Sequence, residues 1–165
     1  MSRYLKFSLV ISFLLFLFLG CSDKPFSKDD LPSYSKAFNI NANPNKDLSE
    51  ALAQAKKDGR KVLIEAGGDW CKWCGTFDNF MDENQDITKK LHENFVFVKI
   101  YYGKGINKQG QALLSQFPKI TETPFFFVLD SNATLLEIVK STNIERGYGY
   151  NKDKVLSFLN KHTIK

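Results

Sequence analysis

The chain opens with an apolar run, passes through a polar stretch, and only then becomes periodic. Phe7 to Leu19 holds Phe, Leu, Val and Ile, interrupted by Ser8 and Ser12. Residues 22–45 are rich in Ser, Asp, Lys and Asn and contain Pro25, Pro32 and Pro44. Apolar positions there are too few for a core element, which predicts a linker. From residue 46 onward the pattern alternates between helical and strand periods. Leu48, Leu52 and Ala55 share one face of a helix expected over about 47–58, capped by Asp47 and stopped by Gly59. Lys61 to Ala66 (KVLIEA) suits a central strand, and Gly67-Gly68-Asp69 turns out of it. Phe77, Phe80 and Met81 are spaced for a second helix. Asp86 can cap a third, with Ile87 and Leu91 inward. Phe95 to Tyr101 (FVFVKIY) reads as another strand. A loop from Gly103 to Gly110 then leads to a helix ending near Phe117. Phe125 to Leu129 (FFFVL) is the third strand. Asp130-Ser131-Asn132 makes a hairpin turn into a fourth over Thr134 to Val139. A loop from Ile144 to Tyr150 precedes a last helix over about 152–162. Strands separated by helices, closed by a hairpin, predict an α/β layer: a mixed sheet of about four strands, with room for a fifth, flanked by helices.

The N-terminal run is short for a membrane span and follows Arg3 and Lys6, the layout of an export signal. It ends at Leu17-Phe18-Leu19-Gly20-Cys21, which resembles a bacterial lipoprotein cleavage box, although Phe18 departs from the usual aliphatic residue. An uncleaved N-terminal anchor is the alternative, and it leads to the same place. Either way residues 22–165 are expected to be exported and tethered to a membrane, through lipid on Cys21 in the first case. Ser22, rather than Asp, follows the cysteine. By resemblance to Gram-negative sorting rules this points to the outer membrane, on its periplasmic side. The expected division is therefore 1–21 signal segment, 22–45 linker and 46–165 a single domain.

Charge adds little. The formal net charge is +5, and removal of Met1 to Gly20 takes away Arg3 and Lys6 and no acids, leaving +3. Lysines are scattered among acids, so nucleic acid is not an expected partner. Cysteine usage changes the picture more. With Cys21 set aside, only Cys71 and Cys74 remain, too few for a structural disulfide framework. They must bond to each other, cycle, or bind something.

Their placement in Trp70-Cys71-Lys72-Trp73-Cys74 favours cycling. Two thiols two residues apart at a helix N-terminus can close a small reducible disulfide. Unpaired N–H groups, the positive end of the helix dipole and Lys72 all stabilise a thiolate at Cys71. Cys71 is thus the expected nucleophile and Cys74, one turn deeper, the resolving thiol.

With strand, CxxC and helix in this order, and Thr123-Pro124 just before an apolar strand and hairpin, residues 46–163 resemble the thioredoxin superfamily. Asp69-Trp70-Cys71 through Cys74, with Phe77 and an acidic helix behind, is most similar to exported domains of the DsbD C-terminal type. The resemblance implies a thiol–disulfide oxidoreductase without a diffusible cofactor. Its partners would be a cysteine-bearing substrate protein and a separate redox partner. It further implies a cis bond at Thr123-Pro124 beside the disulfide, where substrate backbone docks, and a proton-relay role for Glu65, six residues before Cys71. The KVLIEA pattern alone leaves Glu65 free to face core or solvent. Gly67-Gly68 and Lys72-Trp73 depart from the family's usual residues. Trp73 is expected either to pack on the Tyr148–Tyr150 loop or to touch substrate.

Rival readings use the same pair. One is a Cu(I) carrier, which lacks a nearby Met or His at a suggestive spacing. Another is a non-catalytic adaptor, which would not need the cysteines. A structural zinc site lacks a second pair, and Gly75 rather than His after Cys74 excludes a c-type haem attachment. His92 and His162 are expected at the surface. Intact-mass analysis of membrane-extracted protein should find a chain beginning at an acylated Cys21. A different start, with the cysteine unmodified, would refute the lipid anchor.

Overall fold

Four runs of β-branched and aromatic residues build the sheet. The structure is a computed structural model, described for residues 26–103 and 108–163. The expected signal segment with Cys21, and residues 104–107 of the predicted Gly103–Gly110 loop, lie outside the described residues. Strands β1 (Lys61–Gly67), β2 (Phe95–Tyr101), β3 (Phe125–Leu129) and β4 (Leu135–Lys140) form one sheet in the order β2-β1-β3-β4. β1 and β2 run parallel, while β3 is antiparallel to both β1 and β4. The expected mixed sheet is present, and the closing hairpin is its antiparallel edge. β4 begins one residue later than expected because Asp130 holds the turn, accepting from the Asn132 and Thr134 N–H groups at 2.8 Å each.

The period-2 pattern sorts side chains to two cores. Val62, Ile64 and Ala66 of β1 join Val96, Val98, Ile100, Phe125 and Phe127 on one face, against Leu48, Ala51 and Ala55 of helix α2 (Pro44–Asp58). Leu63, Phe95, Phe97, Phe126 and Val128 face the other way. They pack on Phe77 and Met81 of α3 (Lys72–Glu83), Ile87 and Leu91 of α4 (Gln85–Asn94), and Val155 and Leu159 of α7 (Lys152–Lys161). Each fully buried Phe or Leu contributes roughly 1.5–3 kcal/mol. α5 (Lys108–Leu114) covers the first face, ending before Phe117.

Helix boundaries differ where a cap was misassigned. α2 starts at Pro44, whose fixed φ suits a first turn, and Asn43 caps it by accepting the Lys46 N–H at 3.1 Å; Asp47 does not cap it. Gly59 ends it at φ +73°. Asp86 lies inside the first turn of α4 and reaches across to Lys152 at 3.1 Å. The stretch read as an open loop after β4 holds α6 (Ser141–Ile144) and a ribbon of β5 (Glu145–Arg146) and β6 (Gly149–Tyr150). Gly147 at φ +62° permits its tight turn. These strands form a separate ribbon, not a fifth strand of the main sheet.

The larger correction concerns residues 22–45. From Phe26 onward this stretch is part of the fold. A 3₁₀ turn (Lys28–Asp30) leads into helix α1 (Ser33–Lys36), which lies along β2, an edge strand whose exposure would invite strand addition. Tyr34 is buried in the first core. The Ser35 hydroxyl donates to the Phe97 carbonyl at 2.5 Å. Phe26 stacks on His92, ring centroids 4.8 Å apart. The apolar residues are isolated ones that each fill a separate gap, so no period announces them. His92 is consequently half-buried, and its pKa is pushed down to about 4 by burial and by the charges of Arg60 and Lys28. His162 is also buried, its Nε2 2.5 Å from Glu137 Oε2. Neither is the surface residue expected.

Candidate active site: a disulfide over a buried carboxylate

Cys71 is the N-cap of α3, with extended backbone (φ −90°, ψ 105°). Its Sγ accepts the Cys74 N–H at 3.1 Å, the place a Ser or Asp oxygen takes in an ordinary cap. The sulfur is therefore aimed at a helix N-terminus, the geometry that favours a thiolate when the bond is open. In the structure Cys71 and Cys74 are joined as a disulfide, with Cα atoms 5.3 Å apart. Cys71 is 6% exposed and Cys74 1%. Trp70 stands half-exposed beside them, and Lys72 is exposed. Tyr150 packs edge-on against Trp73, centroids 5.9 Å apart, and its hydroxyl donates to the Trp73 carbonyl at 3.1 Å. Trp73 thus packs on the ribbon as one of its two expected roles required.

The glycines before the motif tighten the site. A Cβ built on Gly67 would lie 2.5 Å from Cys74 Sγ and 3.0 Å from Phe38 Cζ. Only a residue without a side chain lets β1 approach the disulfide this closely. Gly68 similarly lies against the Trp70 indole. The Thr123–Pro124 bond is cis. Because Ala66 pairs with Phe125, the register brings Pro124 opposite the Gly67 end of β1, at the same end of the sheet as the cysteines.

Glu65 shares the α3-facing side of β1 with Gly67, one alternate position deeper. It is 0% exposed. Lys99, its neighbour in the parallel register, places Nζ 3.5 Å from Oε2 and is itself buried. The same ammonium contacts Asp78 of α3 and lies over the Phe38 ring, 4.9 Å from its centroid. Among the described residues neither Glu65 oxygen has a hydrogen-bond partner. Burial raises its pKa to about 7; Lys99 opposes the rise, and Asp78 adds to it. For Lys99 burial works against the charge, but Glu65 and Asp78 outweigh it and push its pKa up. A carboxyl that titrates near neutrality is suited to take and return protons.

Sequence reasoning missed Lys99, Asp78 and Phe38. A signal for Lys99 existed: it is the lone charge in FVFVKIY, as Glu65 is the lone acid in KVLIEA. Two charges in adjacent apolar strands need each other. Cys71 and Cys74 are the soft donors here. Among the described residues no group of three or more His, Cys, Asp or Glu is placed to hold a metal ion.

A profile of the family described as thioredoxin-like matches residues 43–131. The chain belongs to the thioredoxin-like family. Spermatogenesis-associated protein 20 of Mus musculus is 31% identical over 51 residues, which are 31% of this chain and only 6% of that protein. Among solved structures, a disulphide isomerase from Xylella fastidiosa Temecula1 superposes with a TM-score of 0.64 at 21% identity, covering 80% of this chain and 96% of that one. The oxidised DsbD C-terminal domain of Neisseria meningitidis gives 0.53 at 19% identity, covering 72% and 95%. These likenesses establish the thioredoxin fold. Family and closed CxxC pair together support thiol–disulfide oxidoreductase activity.

Glu65 also sets a pH dependence of stability. Its pKa is 4.5 when unperturbed and about 7 in the fold, so between these values the native state binds more protons. Stability therefore falls as pH rises through this window. Glu65→Gln removes the effect. In the oxidised protein its Tm, relative to wild type, should be higher at pH 8 than at pH 5 by roughly 8 °C, about 2.5 kcal/mol. An equal difference at both pH values would mean that Glu65 titrates as an exposed carboxylate.

Proposed function

We propose that this protein is an exported, membrane-tethered thiol–disulfide oxidoreductase that exchanges its Cys71–Cys74 pair with partner proteins. The observation that carries the reading is a closed CxxC disulfide at the start of α3, packed against Gly67 of the strand that buries Glu65.

With the pair reduced, the Cys71 thiolate attacks one sulfur of a partner disulfide. A Cys71–partner bond forms, the partner's S–S bond breaks, and its other sulfur leaves as thiolate. Ionised Glu65 then takes the proton of the Cys74 thiol. The Cys74 thiolate attacks Cys71 Sγ, closing the internal disulfide and expelling the partner's second sulfur. Two electrons pass to the partner, whose two thiolates take up two protons, one of them released by Glu65. A separate dithiol protein restores the pair by the reverse sequence. Every step is reversible, and the direction of net flow follows the relative potentials of the partners. Pro124 has no N–H and leaves the Thr123 backbone available to an extended substrate segment. Trp70 and fully exposed Tyr148 offer apolar surface to a partner.

The export signal and the cysteine box at Cys21 support placement on the periplasmic side, lipid-anchored to the outer membrane of a Gram-negative cell. The absence of a structural disulfide framework fits a pair reserved for exchange.

The division of labour is tested by trapping. Cys74→Ser should accumulate mixed disulfides with exported partners, several-fold more than Cys71→Ser, and reductant should release them. Equal trapping by the two variants, or faster alkylation of Cys74 than of Cys71 in the reduced protein, would reverse the assignment.

A further inference from the structure

Gly67 leaves the redox chamber without a side chain on one side, yet Glu65 is fully buried and Cys74 nearly so. What stands there is Phe38, which comes from the segment ahead of α2. Its ring and the Cys74 sulfur converge on one point, the position a Gly67 Cβ would take, 3.0 and 2.5 Å away. The face of the same ring meets the Lys99 ammonium. We propose that Phe38 is a positioning residue of the proton relay: its ring is the wall that keeps water from Glu65 and the Cys74 sulfur.

The wall is held from outside the family core. Phe38 precedes the matched region, which begins at residue 43. Its segment is fixed on β2 by buried Tyr34 and by the Ser35 bond to the Phe97 carbonyl. Solvent lies close behind. Two surface cavities beside this segment reach Lys99, one between Asp29, Ser35 and Asp78, the other between Tyr34, Ala37 and Asn43. A buried carboxyl with a shared cation and no hydrogen-bond partner, this near to water, stays dry only if something apolar fills the gap. Dryness matters to the chemistry, because it confines the proton to Glu65 and Cys74 and prevents its leakage.

The groups facing Glu65 are Lys99 from β2, Asp78 and Cys74 from α3, and Tyr150 from β6. Trimming Phe38 changes none of these charges. Its effect is to let water in, which stabilises the carboxylate and moves its titration to lower pH.

This inference rests on the relay role given to Glu65 above, and the test separates the two. Reduced full-length protein is mixed with an aromatic disulfide reagent whose thiolate absorbs visible light. The second thiolate released reports the attack of Cys74 on Cys71. Its rate is followed against pH. Wild type should show a step near neutrality, and Glu65→Gln should lose it. Phe38→Ala should keep the step but lower its midpoint by about one pH unit, with Phe38→Leu shifted less. If Glu65→Gln retains the step, the relay reading itself fails. If Glu65→Gln loses it while Phe38→Ala leaves the midpoint in place, even with a lower Tm, Phe38 is only packing and the wall is refuted. Should Phe38→Ala not fold, an unmoved midpoint in Phe38→Leu refutes it equally.

Discussion

A buried carboxylate next to a reducible disulfide is the constraint around which this molecule is arranged. Glu65 sits in the middle strand of a hydrophobic layer, where an isolated charge would be costly. The parallel register supplies one cation, Lys99, and that cation is divided between Glu65 and Asp78. Compensation is therefore incomplete, and the carboxyl keeps its proton up to about neutral pH. Gly67 lets the strand carrying Glu65 come against the Cys74 sulfur. The helix that begins at Cys71 brings both cysteines and Asp78 onto the same charge. Strand register, one glycine and one helix start thus converge on a single proton.

The segment ahead of the first long helix gains a role from this. It covers the edge strand β2 with Tyr34 and Ser35 and delivers Phe38 to the chamber. Residues 26–45 are therefore packed on the fold, where their polar composition suggests a free linker.

Much of this is legible in the sequence. FVFVKIY and FFFVL form strands with the bounds their composition implies, because a run of β-branched and aromatic residues ended by turn formers has few alternatives. The CxxC pair at a strand–helix junction and the proline before a strand located the site, since both are local signals. What stayed hidden depends on distant partners. Glu65 looked the same whether it faced solvent or core until Lys99 was placed beside it 34 residues later. Phe38 reads as a lone aromatic in a polar segment, and only the gap at Gly67 shows what it fills. The histidines were misread for the same reason: Phe26 covers His92 and Glu137 holds His162, contacts over long separations that no periodicity encodes.

The central claim is that Cys71 and Cys74 interconvert between dithiol and disulfide in equilibrium with external thiols. Equilibrating the full-length protein across a range of dithiol-to-disulfide ratios, and following thiol content together with the fluorescence of Trp70 and Trp73, tests it most directly. The account predicts one reversible two-electron transition, its oxidised-to-reduced ratio shifting tenfold for about 30 mV. A pair that remains oxidised, or remains reduced, across the whole range would contradict it.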